Sequence, residues 1–472
     1  MAEQERLTLS TKLYYGFGSV AYGVKDNGFN YFLLFFYSQV MGLPAGYVSL
    51  AIFVAMLVDA ISDPVIGHVS DNWHSRLGRR HPFMYFAALP VAVSYYFLWN
   101  PPLDWSPEAL TAYLIVVAVF IRTMITLYEI PSTSLVSELT SNYDERTSLL
   151  SYRYFFGWMG GVLMAVIAYG WLLQPTEQYP VGQLNLDGYN TFGLVASLIM
   201  VTAILVSALG THRHIPNLRK PPAKKPFSLQ QTAGELFETL NNRSFLVLFG
   251  TAIFAAAAAG LTGNLNLYFN TYYWELHPDD LLLLATAYFW AAGIALFMTP
   301  RLSASMGKKA ACLWTFGIAV ALAPAPFLLR FAGLFPENNS DLLVPSLYIF
   351  SIVEVSLIIS ASTLVSAMVA DVVEESEIKT GRRSEGLFFA ARTFAIKTVH
   401  GVGAIAASLV LAMAEFPDNA EPGQVPQIHL DALALFYIPG LLIFYGVAMA
   451  FVFAYRISRE SHQQNLERLA GE

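Results

Sequence analysis

Charge is scarce in this chain: Lys, Arg, Asp and Glu make up 13 % of its 472 residues, about half the share of a soluble globular chain. Hydrophobic residues make up 55 %, with a mean hydropathy of +0.49, which excludes a water-soluble fold. Cysteine is nearly missing. The single Cys312 rules out an internal disulfide and any paired-Cys metal motif, and reads as a small apolar packer. No Walker loop and no dinucleotide fingerprint occurs, so a primary pump, oxidoreductase or other enzyme would have to hide its cofactor. Nucleic acid is not an expected partner.

Apolar stretches of spanning length recur twelve times, at residues 13–41, 46–70, 82–100, 108–139, 149–174, 191–211, 244–273, 280–300, 309–334, 343–370, 386–415 and 432–456. Their connections carry basic residues in alternation. Arg76, Arg79, Arg80, Arg146, Arg213, Lys220, Lys224, Lys308, Lys309, Arg382 and Arg383 lie in every second one, and the opposite set holds only Arg330 at a helix edge. The bias predicts cytoplasmic termini in a plasma (inner) membrane. The polar N-terminus carries no cleavable hydrophobic signal, so the first span is expected to stay as an anchor. A Pro-rich basic break at 212–228 divides residues 1–211 from 229–472, six spans on each side. The fourth and tenth spans both end in an acid followed by a charged turn, with Arg153 and Arg392 just inside the next span. The expectation is an all-α membrane protein: two six-helix bundles related by a pseudo-two-fold axis, working as a monomer around a midplane site for a small molecule.

The stretch from Leu57 to Met84 is the most informative. Asp59 and Asp63 stand one helical turn apart in an apolar run and so point to one side of a helix. A carboxylate at bilayer depth costs about 3 kcal/mol or more unless it is paired, protonated or bound to a cation. Two on one face look like a cation cradle. Gly67, Asp71 and the basic turn Arg76-Leu77-Gly78-Arg79-Arg80 follow. This turn resembles the loop between helices two and three of major facilitator transporters, with four residues inserted between Asp71 and Arg76. Asp59-x3-Asp63-Pro64 resembles the glycoside, pentoside and hexuronide:cation symporters within that superfamily, and further matches run in order along nearly the whole chain.

The resemblance implies a secondary transporter that couples a sugar, glycoside or uronide to Na⁺ or H⁺ and needs no cofactor. Distant relatives of the family carry lipid-like solutes, so a carrier of a non-sugar amphiphile is the competing expectation, ahead of an enzyme or receptor on a carrier scaffold. Asp59, Asp63, Ser62 and Thr126 are then the expected cation ligands, and hard oxygen ligands suit such an ion. Ser62 stands where the family has Asn, which loosens sodium; coupling to either ion is expected, with sodium slightly favoured. Lys25-Asp26 matches the family's Lys-Asp pair, whose acid binds sugar. Ser19, Tyr22, Asp26 and Asn30 form one polar stripe. The plainer alternative, a self-neutralising Lys25–Asp26 pair, is disfavoured because helix neighbours point about 100° apart.

Glu129, before Ile130-Pro131, stands where the family has a sugar-binding Asp, and Thr133 where it has an aromatic. A Glu129–Arg122 pair that serves folding alone is the alternative there; Arg122 has no family role. Arg153 matches a substrate-reaching Arg, with an interfacial snorkelling Arg as its alternative. Asn266 and Asn270 repeat every four residues and either bind substrate or glue helices. Lys397 matches the family's eleventh-helix Lys and is the natural counter-charge for the N-terminal acids. Asp71, Arg76, Arg79 and Arg80, with Glu374, Glu375, Arg382 and Arg383 before the eleventh span, are expected to pair across the inner mouth as a gate. A solvated helix cap is the alternative for the second cluster. Glu354 is a further intramembrane acid with no family counterpart.

Overall fold

The computed structural model describes residues 7–140, 143–218, 242–380 and 385–455. Twelve helical rods account for nearly all of them. They run over 9–40, 45–71, 81–99, 107–139, 143–172, 186–212, 243–273, 278–306, 308–331, 343–380, 385–413 and 427–454, and are called the first to twelfth helices. Ten are long and apolar enough to cross a membrane by length and composition. The first is jointed instead of continuous: short α-helical pieces alternate with wider π turns at Gly28–Phe32 and Phe36–Val40. The ninth is interrupted where Pro324 opens a second piece, Ala325–Phe331, because proline cannot donate the backbone bond a continuous helix needs.

The repeat is explicit in the packing. The first helix lies against the fifth and sixth, and the seventh correspondingly lies against the eleventh and twelfth. The second packs on the fourth as the eighth packs on the tenth; the third packs on the fourth and sixth as the ninth does on the tenth and twelfth. Even the outer turns match. Met41 N–H bonds Phe36 C=O and Leu43 N–H bonds Tyr37 C=O, and the same two bonds recur from Trp274 to Phe269 and from Leu276 to Asn270. Adding six to a helix number turns one bundle into the other, which makes this the major facilitator fold. The expected boundary at 212–228 falls partly outside the described residues.

Small residues set the closest approaches. A Cβ on Gly23 would sit 2.0 Å from the Gly157 carbonyl oxygen, and one on Gly403 would sit 2.6 Å from the Ala257 carbonyl oxygen. The first and fifth helices therefore touch backbone to backbone, as do the seventh and eleventh, the usual way helices gain contact where lipid tails supply no hydrophobic drive. Outward-facing side chains are large and apolar, among them Phe86, Leu89, Trp171, Phe297 and Trp314. In a membrane that face is solvated by lipid.

Between the bundles, the second helix packs along the eleventh, and the first meets the seventh. Polar contacts tie them at the end opposite the chain termini. Ser38 Oγ lies 2.6 Å from Tyr268 Oη, Gln39 Oε1 accepts from Tyr272 Oη and from Ala420 N–H at 3.0 Å each, and Gln183 donates to the Leu276 carbonyl at 2.6 Å.

Candidate functional site

Two neighbouring features occupy the middle of the molecule: an ion-paired cluster and a cavity. The cluster starts from the second helix, Ala45–Asp71, where the one-turn spacing does place Asp59 and Asp63 on the same side. Pro64 follows within the helix and removes the backbone donor that would pair with Ala60 C=O. From the fourth helix, Thr126 Oγ lies 2.8 Å from Asp59 Oδ1 and 3.1 Å from Asp63 Oδ1, within donating reach of either carboxylate. From the eleventh, Lys397 Nζ reaches Asp63 Oδ2 at 2.7 Å and Asp59 Oδ2 at 3.4 Å, crossing from the C-terminal bundle to the N-terminal one. The expected counter-charge role of Lys397 thus has a geometry. Ser62 does not turn toward the carboxylates; its hydroxyl donates to the Asp59 backbone carbonyl at 3.0 Å.

A fourth charge completes the cluster. Arg122 Nη1 donates to Asp59 Oδ2 at 3.1 Å, and its guanidinium lies over the Phe29 ring at 4.6 Å. Arg122 and Asp59 are buried to 3 % and 1 % exposure. The alternative partner weighed from sequence, Glu129, makes no ion pair among the described residues. The signal for the actual one was present: Arg122 precedes Thr126 by four residues, so both look the same way from the fourth helix.

The cavity encloses about 480 Å³ between the first and fifth helices on one side and the seventh, eighth and tenth on the other. Asp26, Asn27, Asn30, Asn266 and Asn270 give it a polar side, while Tyr31, Trp158, Tyr169 and Tyr288 give it an aromatic one. Asn270 Nδ2 donates to Asn266 Oδ1 at 3.0 Å, so these amides brace each other as they face the space. Lys25 does pair with Asp26, at 2.8 Å, contrary to the argument that helix neighbours point apart. The long lysine stem folds back across that angle. Lys25 is sealed at 2 % exposure while the Asp26 side chain keeps 46 %, so the acid remains available to the cavity.

Four residues expected at the substrate site do not line this cavity: the sealed Lys25, Lys397, Arg153 and Glu129. Lys397 is engaged in the ion cluster. Arg153 donates to Ser132 Oγ at 3.1 Å and sits among the Tyr15 and Tyr22 rings at 6.0 and 5.5 Å. Glu129 is half-buried and lies within the electrostatic reach of both Lys397 and Arg153. His400, unremarked in the sequence, lies within similar reach of Asp26 and Arg122.

At the end of the molecule that carries the chain termini, Arg79 and Arg80 both converge on Glu138, at 2.9 and 2.8 Å, and Arg80 also binds Asp71 and Ser70. Arg76 is exposed. Lys308 and Asp371 form a pair in the other bundle at 2.5 Å. These described charges pair within their own bundle. Arg382 and Arg383, and the side chains of Glu374 and Glu375, lie outside the described residues. Glu138 escaped the sequence reading because nothing local says which of several acids two arginines from another helix will choose.

Two six-helix bundles joined at the ends opposite the chain termini, with a polar and aromatic cavity between them and buried acids beside it, define a membrane carrier of the major facilitator type. The chain belongs to the MFS/sugar transport protein family, whose model matches residues 14–459. It is similar to the isoprimeverose transporter of Lactiplantibacillus pentosus, 25 % identical over 91 % of this chain and 84 % of that one. It is equally similar to the sodium-dependent lysophosphatidylcholine symporter 1 of Xenopus tropicalis, 25 % identical over 99 % of this chain and 90 % of that one. Among solved structures, a D-xylose-proton symporter superposes with a TM-score of 0.65 at 13 % identity, covering 95 % of this chain and 98 % of the other. That likeness speaks for the fold.

Proposed function

We propose that this protein is a multi-pass symporter that couples uptake of a sugar, glycoside or uronide to a gradient of Na⁺ or H⁺ by alternating access, with both termini cytoplasmic. The observation that carries the reading is Lys397, which spans the two bundles to hold Asp63 and Asp59. A cation arriving at Asp63 competes with that lysine. Its arrival therefore loosens one of the contacts that tie the bundles together, and binding is linked to their relative movement. Asp59, Asp63 and Thr126 form the ion centre in this reading. Asp26, Asn266 and Asn270 receive the substrate, with Lys25 as the counter-charge of Asp26, and Glu129 and Arg153 complete the floor as the bundles move. The charged inner turns around Asp71, Arg79 and Arg80 act as the inner gate.

The aromatic side of the cavity supports a second reading, a carrier for a solute with an apolar part, and the lysophosphatidylcholine relative agrees with it. The test is uptake into proteoliposomes holding the purified chain. Radiolabelled isoprimeverose, further glycosides and uronides are compared with lysophosphatidylcholine under imposed sodium or proton gradients. Accumulation of a glycoside or uronide that Asp63→Asn abolishes, with downhill exchange retained, is the expected result. Accumulation of the lysolipid alone would favour the second reading, and turnover of solute without a gradient would overturn both.

A further inference from the structure

Three donors, one of them a single hydroxyl proton, serve the four carboxylate oxygens of the ion centre. Asp59 Oδ1 and Asp63 Oδ1 share Thr126; Asp59 Oδ2 faces Arg122 at 3.1 Å and Lys397 at 3.4 Å; Asp63 Oδ2 holds Lys397 at 2.7 Å. Two acids meet two bases, and their formal charges cancel. The two bases differ in where they come from. Lys397 belongs to the opposite bundle and can withdraw when the bundles part. Arg122 stands on the fourth helix, which packs directly on the second helix that carries Asp59. Both move with the N-terminal bundle, so this pair persists through any rocking of one bundle against the other.

Further contacts fix the guanidinium in place. It is stacked over Phe29, and its Nε is buried with no hydrogen-bond partner among the described residues. Arginine keeps its charge under all ordinary conditions and cannot vacate the site by losing a proton. A hard cation takes oxygen ligands, and two carboxylates already matched by two bases offer it no net charge attraction. A second cation beside Asp59 would stand next to a fixed like charge at bilayer depth, where such repulsion is poorly screened. Ser62, the remaining hydroxyl of that turn, is directed at the Asp59 backbone carbonyl.

We propose that Arg122 is a built-in cation that holds sodium's place beside Asp59, so that the ion centre of this carrier does not bind sodium. The inference rests on the reading of Asp59 and Asp63 as the ion centre and names the residue that sets its ion selectivity. It runs against the slight preference for sodium expected from sequence.

Sodium itself is the probe, so no substrate is needed. The purified full chain in lipid nanodiscs is unfolded thermally across a titration of NaCl, with choline chloride at equal ionic strength as the reference. A ligand that binds only the folded chain raises the melting temperature by a stabilisation that grows with the logarithm of one plus the ratio of its concentration to Kd. The parent should show no sodium-specific shift. Arg122→Gln should gain a saturable shift that is absent from Arg122→Lys and is removed again in Arg122→Gln/Asp63→Asn. A merely structural Arg122 would lower the melting temperature without creating any response to sodium.

A saturable sodium-specific shift in the parent, removed by Asp59→Asn, would overturn the proposal, as would the lack of any gain in Arg122→Gln. Should Arg122→Gln not fold, the parent titration decides alone: no sodium shift upholds the exclusion and a shift refutes it. The symport reading fails separately, if no gradient drives accumulation of any solute, and that result leaves the sodium titration intact.

Discussion

Glu138 is the residue on which the inner end of the N-terminal bundle depends. Its side chain is 1 % exposed and receives two guanidinium groups, from Arg79 and from Arg80, the latter 4 % exposed. Removing one partner of a buried pair strands the other charge, a loss of about 3–5 kcal/mol. Glu138→Gln keeps the shape and loses the charge, so it should lower the melting temperature markedly. Asp71 also binds Arg80, but its side chain is 51 % exposed, and solvent-screened pairs contribute about 0–1 kcal/mol. Asp71→Asn should therefore change stability little. Thermal unfolding of the two variants side by side checks the ranking, and equal losses would show that Glu138 is not the anchor. The candidate site was legible to different depths at this scale. Asp59 and Asp63 could be found because a four-residue step on a helix fixes a common face, and Thr126 because its position matches the family's hydroxyl. Arg122 obeys the same rule with Thr126, yet sequence spacing also allowed Glu129. Which acid it meets is decided by how the second and fourth helices cross, and no local pattern encodes that. The Lys25–Asp26 pair was misjudged for the opposite reason: backbone direction was read correctly, but the lysine stem has reach to spare.

Among the helices, the contacts of the first with the fifth and of the seventh with the eleventh have the least tolerance. Two glycines of one interface provide a graded test. A methyl group on Gly23 would meet the Gly157 carbonyl oxygen at 2.0 Å, and backbone cannot step aside as a side chain can. At Gly161 the nearest atom, the Gly23 carbonyl oxygen, lies at 3.3 Å, a distance that a small adjustment absorbs. Gly23→Ala should thus cut the yield of folded protein and narrow the cavity that both helices line, whereas Gly161→Ala should remain well folded. Size-exclusion profiles and melting temperatures distinguish them; a well-folded Gly23→Ala with parental stability would mean that the two helices pack farther apart. The twelve helical rods were readable from hydropathy, and ten of them are long and apolar enough to match the bilayer. The joints within the first helix were not. A π turn shifts one hydrogen bond from the fourth to the fifth residue and leaves hydrophobic content unchanged, so 9–40 looks continuous in sequence although Gly28–Phe32 and Phe36–Val40 are wider.

For the whole molecule, the question is which contacts must break for the bundles to rock. The second and eleventh helices run side by side from their outer ends, where Ser49 Oγ donates to Ser408 Oγ at 2.8 Å, down to Lys397 and Asp63. Partway along, that seam is ionic, and in the proposed mechanism it opens when a cation replaces the lysine. At its outer end it is small and uncharged, and nothing but separation of the bundles opens it. The 2.8 Å between the Ser49 and Ser408 hydroxyl oxygens makes this the pair to test for an engineered disulfide, whose Cβ atoms lie about 3.5–4.5 Å apart. The single native cysteine, Cys312, is buried in the C-terminal bundle and offers no competing thiol at this surface. Ser49→Cys with Ser408→Cys should therefore cross-link on mild oxidation and hold the outer mouth shut. Solute uptake in proteoliposomes should stop on oxidation and return on reduction, while each single variant transports in both conditions. Uptake that continues at the parental rate in fully cross-linked protein would show that solute crosses without parting these two helices, and alternating access by rocking of the bundles would have to be abandoned for this chain.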